Sequence, residues 1–155
     1  MIELKNGLIL LLNLQYCDEI CSVETAIFNF DKAFSRLKEA LEMGYLNELE
    51  RNGLVQRFEF TLELSWKVLK DFLQEKGFEY KPTPKDSFRE AQRAGFIDYA
   101  QELVDGLDLR NELSHDYDGQ KFEAAEKHLR DVTFPCIERL HGFFSEILKT
   151  ENPEA

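Results

Sequence analysis

At 155 residues the chain is one domain. Apolar residues make up 43% and aromatics 12%, enough for a packed core, which excludes global disorder. Thirty acidic against 19 basic side chains leave a formal charge of −11. That excludes a broad basic face for duplex DNA, because such binding runs on phosphate neutralisation. Any nucleic acid has to be met in a local cleft whose few Arg and Lys overcome the field of the whole. The acidic surplus otherwise suits solubility or a basic partner.

The run from Gly7 to Leu14 is apolar but far short of the ~18–20 residues a membrane span requires. A secretory signal is not expected either, since Glu3 offsets Lys5 and no small-x-small cleavage site follows. Residues 1–25 therefore read as an N-terminal add-on, a short helix or strand packed on the body or on a second copy. Residues 26–150 read as a helical body. Cys17, Cys21 and Cys136 are an odd number without a disulfide framework. No histidine lies near Cys17 and Cys21, so no zinc site is expected. A reducing cytoplasm is the default compartment.

From Ile27 onward the pattern is helical throughout. Ile27, Phe30, Phe34, Leu37 and Leu41 recur at three and four residues, and Gly44 ends this first helix. Asn47 with Glu50 three residues on forms a capping box for a second, long helix reaching Lys76. Leu54, Phe58, Leu62, Trp66, Leu69 and Leu73 lie on one of its faces, and Glu63 and Lys67 form an i,i+4 pair. Gly77 stops it. Thr83 as N-cap, Pro84 as first helical residue and Asp86 as the N3 acid start a short third helix that Gly95 closes. Asp98 with Gln101 opens a fourth, and Asp118-Gly119 marks the turn after it. The fifth carries Phe122, Ala125, Leu129, Val132, Cys136, Leu140, Phe143 and Ile147, with Pro135 inside it as a predicted kink. The fold class is all-α, an antiparallel up-and-down bundle of four to five helices.

Several enzyme classes are absent from this sequence. It has no Gly-rich phosphate loop with a preceding strand, no His-Glu-x-x-His or other tight zinc cluster, and no nucleophile elbow for a Ser/His/Asp hydrolase. The informative segment is the fourth helix. Ala100, Leu103, Val104 and Leu107 make an apolar stripe, and continuing it at 100° per residue brings up Arg110, Asn111, Ser114 and His115. A core face that turns polar is costly unless those groups are paired, solvated in a cleft, or used. A substrate phosphate could sit between Arg110 and His115, with the guanidinium on its oxygens and the imidazole near a transferable proton. The competing structural reading is an Arg–Glu ion pair in the bundle with His115 as a polar helix end.

The segment Arg110-Asn111-Glu112-Leu113-Ser114-His115-Asp116-Tyr117 resembles the R-x4-H-x-Y motif of HEPN-domain proteins. The segment Gln56-Arg57-Phe58-Glu59-Phe60-Thr61-Leu62-Glu63-Leu64-Ser65-Trp66-Lys67 is similar to the second helix of the nucleotidyltransferase substrate-binding protein family. The resemblance runs from about Phe28 to Leu148. It implies a small helical bundle that dimerises and works beside a minimal nucleotidyltransferase. It further implies a metal-independent endoribonuclease toxin of the HepT-like kind, neutralised when its nucleotidyltransferase antitoxin adds AMP to the motif tyrosine, here Tyr117. Arg110 and His115 are then the catalytic residues, with Asn111 and Ser114 supporting them; no metal or cofactor is expected. The alternative function is a non-catalytic subunit that presents a substrate or nucleotide to the nucleotidyltransferase.

Other residues divide between two readings. Arg57 and Glu59 line the cleft or brace the motif Arg, or else form a surface pair. Trp66 belongs to the core before it belongs to a base-stacking platform. His128 and His141 have no partner at ligand spacing and read as structural. Arg89 and Arg93 supply local positive field or a solvated face.

Overall fold

The computed structural model describes residues 23–115 and 119–151, and every regular element among them is helical. Helix α1 covers residues 23–42, α2 Glu48–Glu75, α3 Pro84–Arg93, α4 Ala100–His115, α5 Gly119–His128 and α6 Phe134–Glu151. A π-helical turn, Leu129–Thr133, joins the last two. Most of the segment expected as an add-on lies outside the described residues. Val23 opens α1 and is already buried in the core.

Local chemistry fixes the helix ends. Asn47 Oδ1 accepts from the Glu50 N–H at 2.9 Å while Glu50 accepts from the Asn47 N–H at 2.8 Å, the reciprocal bonds of the predicted capping box. Thr83 caps α3 with Pro84 in its first turn, and its hydroxyl donates to Asp86 at 2.7 Å. Gly77 and Gly95 follow α2 and α3 at φ +84° and +83°, a left-handed conformation that costs glycine least. The start of α4 differs from expectation. The helix begins at Ala100, whose N–H donates to Gln92 Oε1 at 2.9 Å. Asp98 does not cap it, because its carboxylate accepts from Arg139 of α6 at 2.7 Å.

Four pairings set the topology. Thr61 Oγ1 donates to the Ala33 carbonyl and Arg57 to the Arg36 carbonyl, so α1 and α2 run antiparallel. Ser114 meets Glu59 while Gly106 lies beside Leu62, so α4 runs antiparallel to α2. His141 with Asp31 and Glu138 with Lys38 place α6 antiparallel to α1, and Arg139 at Asp98 before α4 with Thr133 at Gly106 places it antiparallel to α4. The result is an up-down-up-down bundle of α1, α2, α4 and α6, with α3 packed against α2 and α4. Phe30, Phe58, Phe88, Phe144, Leu62, Leu103 and Leu129 fill its centre with under 2% exposure. Each such side chain contributes about 1.5–3 kcal/mol by leaving water.

Pro135 has its effect on the turn before it. Lacking an N–H, it cannot continue the α ladder, and the chain widens so that the Phe134 N–H reaches the Leu129 carbonyl. The predicted kink is thus taken up as a π turn. Arg130 in that turn donates to Glu126 and to the Leu41 carbonyl, placing a cation at the end of α1. Thr133 is fully buried in the same turn, against α4 at Gly106. A Cβ at Gly106 would stand 2.8 Å from Thr133 Cγ2, and a buried β-branched side chain cannot swing away. Gly106→Ala should therefore destabilise by about 1 kcal/mol in urea unfolding, the clash outweighing the helix propensity gained. Adding Thr133→Ser, which deletes Cγ2, should recover the loss. A single Gly106→Ala variant more stable than the parent would contradict this packing.

Candidate functional site

The last turns of α4 carry the motif, and their surroundings come from two sides. Toward the bundle, Ala100, Leu103, Val104, Gly106, Leu107, Leu109 and Leu113 are buried. The apolar surface therefore does not give way to the motif, as a single continued stripe predicts. It broadens, because α4 packs on α2 and α3 and also on the π turn and α5. Arg110 stays half-buried beside it, while Asn111 and Ser114 are exposed.

A polar seam lies where α2 and α4 meet. Glu59 and Glu63 are one turn apart on α2; Arg110 and Ser114 are one turn apart on α4. Antiparallel packing brings the two pairs together. The Ser114 hydroxyl donates to Glu59 Oε1, and its single proton is shared with the Arg110 carbonyl at 2.9 Å. Among the described residues, the Arg110 guanidinium makes one hydrogen bond, to Asn111 Oδ1 at 3.3 Å. Glu63 accepts from Trp66 Nε1 at 3.0 Å and from Lys67 at 2.9 Å. Burial pushes the Glu63 carboxyl up. The Trp66 and Lys67 donors, with the charges of Lys67 and Arg110, outweigh this and hold it below the ordinary value.

The site thus unites Arg110, Asn111, Ser114 and Glu59, and it adds Glu63, which in the sequence stands out only as half of a helix-surface pair. The i,i+4 spacing of Glu59 and Glu63 matches that of Arg110 and Ser114, which is the signal that would have found it. Arg57 does not join them. Two residues from Glu59, it lies about 200° away around the helix. It donates to the Arg36 carbonyl at 2.7 Å and stands 3.9 Å from Glu39, both on α1. The His115 side chain and Tyr117 lie outside the described residues, as do Cys17 and Cys21.

Trp66 is partly buried against the core. His141 stacks on Phe34 with centroids 4.1 Å apart and meets Asp31 at 2.6 Å, a structural role. Arg93 is gripped by Glu90 at 2.9 Å. His128 lines a cleft of about 810 Å³ between α4 and α5, whose α4 wall carries Asp105, Asp108 and Glu112 over Leu109, Phe122 and Ala125. Burial, with Glu102 nearby, pushes the Cys136 thiol up, so this cysteine is a poor nucleophile at neutral pH. Among the described residues no cluster of His, Cys, Asp or Glu could hold a metal ion. No described helix is long and apolar enough to cross a membrane.

Comparison with known proteins agrees with the resemblance read from the motif. A family model described as nucleotidyltransferase substrate binding protein like matches residues 25–145. The probable ribonuclease HepT of Haemophilus influenzae is 37% identical over 83 residues, 51% of this chain and 57% of that relative. The match therefore spans little more than half of the relative's length. A solved structure from Thermus thermophilus superposes with a TM-score of 0.66 at 30% identity, over 73% of this chain and 96% of that one. The tri-AMPylated HEPN toxin of Shewanella oneidensis, solved in complex with MNT antitoxin, superposes with a TM-score of 0.66. Its identity is 13%, over 80% of this chain and 96% of that one, so this likeness is one of fold.

The depressed Glu63 carboxyl makes a pH prediction. Its ionised form is the one the fold favours, so its contribution to stability is complete above the ordinary value of 4.5 and fades as pH falls through the lower folded value. Glu63→Gln should thus be less stable than the parent at neutral pH, with the difference shrinking below about pH 4.5 in denaturant titrations. A difference that stays constant down to about pH 3 would contradict the assignment.

Proposed function

Because the chain belongs to the nucleotidyltransferase substrate-binding-protein-like family, we propose that it is the HEPN-type partner of a minimal nucleotidyltransferase and a metal-independent endoribonuclease toxin. The observation that carries the chemistry is the state of Arg110. It is a half-buried guanidinium at the edge of the α2–α4 seam, with most of its five N–H donors unspent among the described residues. Glu59 and Ser114 hold the turn that carries it, and Asn111 orients it, so its planar fork is offered to a phosphate without reorganisation.

The reaction proposed is attack of a ribose 2′ oxygen on the adjacent phosphorus. The O2′–P bond forms, the P–O5′ bond breaks, and the products are a 2′,3′-cyclic phosphate and a 5′ hydroxyl. His115, with an imidazole suited to proton exchange near neutral pH, takes the 2′ proton. Arg110 stabilises the charge gathering on the phosphoryl oxygens. The leaving 5′ oxygen needs a proton as well, and one imidazole cannot easily serve both ends in one turnover. A two-fold homodimer that brings a second motif to the same phosphate supplies the acid. Tyr117, two residues beyond His115, is the acceptor for AMP in this reading, and the nucleotidyltransferase encoded nearby is the donor enzyme. The compartment is the cytoplasm.

A second reading, a non-catalytic subunit that presents a substrate or nucleotide, draws on the carboxylate-walled cleft between α4 and α5. Such a surface fits a partner with a basic face. The two readings part on one experiment. Expressed alone, the chain should arrest growth and cut RNA to cyclic-phosphate ends. Co-expression with the nucleotidyltransferase should relieve arrest and add adenylate mass at Tyr117. Arg110→Ala and His115→Ala should each lower cleavage about 100-fold or more with helicity unchanged by circular dichroism. Full cleavage by either variant, or harmless expression with a stable complex, would overturn the toxin reading in favour of the second.

A further inference from the structure

The motif accounts for the phosphate being cut, yet nothing in it holds the rest of a nucleic-acid strand, and the chain's −11 charge opposes one. The cleft between α4 and α5 is less suited to that purpose, because its three carboxylates, Asp105, Asp108 and Glu112, outnumber its one lysine, Lys121. A groove on the opposite side of α2 has the other chemistry. It measures about 360 Å³ and is lined by Ala33 and Arg36 of α1 and by Gln56, Arg57 and Phe60 of α2. That size is at the lower end of the ~300–1,000 Å³ usual for ligand sites.

Three features point to its occupant. Phe60 is 57% exposed, so a face of its ring is open to stacking at the edge of the groove. Arg57 is fixed by its bond to the Arg36 carbonyl at 2.7 Å, so its guanidinium is positioned before any ligand arrives. The Arg36 side chain is exposed and has no hydrogen bond or ion pair among the described residues. One carboxylate opposes them, Glu39 at 3.9 Å from Arg57, and it is itself 72% exposed. One turn before Arg36 on α1, Lys32 lies 4.2 Å from the ring centroid of Phe28, which is 55% exposed. Cations interleaved with exposed aromatic rings are the pattern that binds single-stranded nucleic acid: guanidinium groups track the backbone and rings take the bases.

We propose that the α1–α2 groove is a binding subsite for single-stranded RNA, with a backbone phosphate on Arg36 and Arg57 and an adjoining base stacked on Phe60. The choice of RNA rests on the ribonuclease reading; the groove's chemistry does not. On α2, Glu59 faces the motif while Phe60 and Arg57 face this groove. A strand crossing the exposed surface of that helix therefore reaches both. Gln56, with an amide donor and acceptor at the groove, can meet a base edge or a ribose hydroxyl.

The test uses the full chain and a fluorescent 2′-O-methyl oligoribonucleotide. That probe lacks the attacking hydroxyl, so binding is read apart from cleavage. Phe60→Ala should weaken binding about tenfold. Arg36→Gln should weaken it and lower the slope of log K against log salt by about 0.7, whereas Arg36→Lys should keep the slope. With unmodified RNA, both loss variants should raise KM and leave kcat near the parent value. Equal affinity across parent, Phe60→Ala and Arg36→Gln would overturn the subsite, as would no binding by the parent. Loss of nucleotidyltransferase binding with RNA binding intact would overturn it too, making the face a protein-docking surface. Groove-dependent binding without cleavage of unmodified RNA would sustain the subsite and defeat the ribonuclease reading alone.

Discussion

The hydroxyl of Ser114 donating to the carboxylate of Glu59 joins the last turn of α4 to the middle of α2. The placement of Arg110 depends on this bond. Helix ends fray because their final carbonyls lack partners, and an Arg on a fraying turn would sample many positions. Here the turn is tied twice, by the Ser114 proton to α2 and by its sharing with the Arg110 carbonyl. Leu109 and Leu113 press the same turn into the core from the other side. The guanidinium therefore projects from a held backbone, which preorganised electrostatic stabilisation requires.

The charges around the seam have an order. Glu63 is already spoken for by Trp66 and Lys67, so it lends Arg110 a field without closing a salt bridge on it. Glu59 is engaged by Ser114. Glu63 thus stands beside the motif Arg while most of the guanidinium's donors stay open, and an incoming anion would meet those donors against the field of that carboxylate. The same economy shows at larger scale. Acidic side chains wall the α4–α5 cleft, whereas Arg36, Arg57 and Phe60 gather between α1 and α2. An overall charge of −11 and a local anion site are compatible because screening confines each to about a Debye length, ~8–10 Å.

How far this was legible in the sequence depends on range. The Asn47–Glu50 box, the Thr83-Pro84-Asp86 start and the stops at Gly77 and Gly95 follow from chemistry within four residues, and the structure has all of them. Asp98 reads in the sequence as the opener of α4 and is not, because its partner, Arg139, is 41 residues away. The single apolar stripe on α4 became a broader buried surface because a helix with neighbours on two sides obeys no one-face periodicity. Pro135 announced an irregularity, and its missing N–H is taken up in a π turn whose Thr133 packs against Gly106. At the site, Arg110, Asn111 and Ser114 were visible as residue types in a pattern. That Glu59 faces them while Arg57 faces α1 needed the register of α2 against both neighbours.

The claim that α2 holds the motif turn is tested most directly by a double-mutant cycle on Glu59 and Ser114, read in equilibrium urea unfolding. Glu59→Ala, Ser114→Ala and the double variant should show a coupling of about 0.5–1 kcal/mol, as expected for an exposed hydrogen bond to a charged group. Losses that simply add, to within about 0.3 kcal/mol, would mean that the two helices lie side by side without this tie. The account of a preorganised Arg110 would then fail.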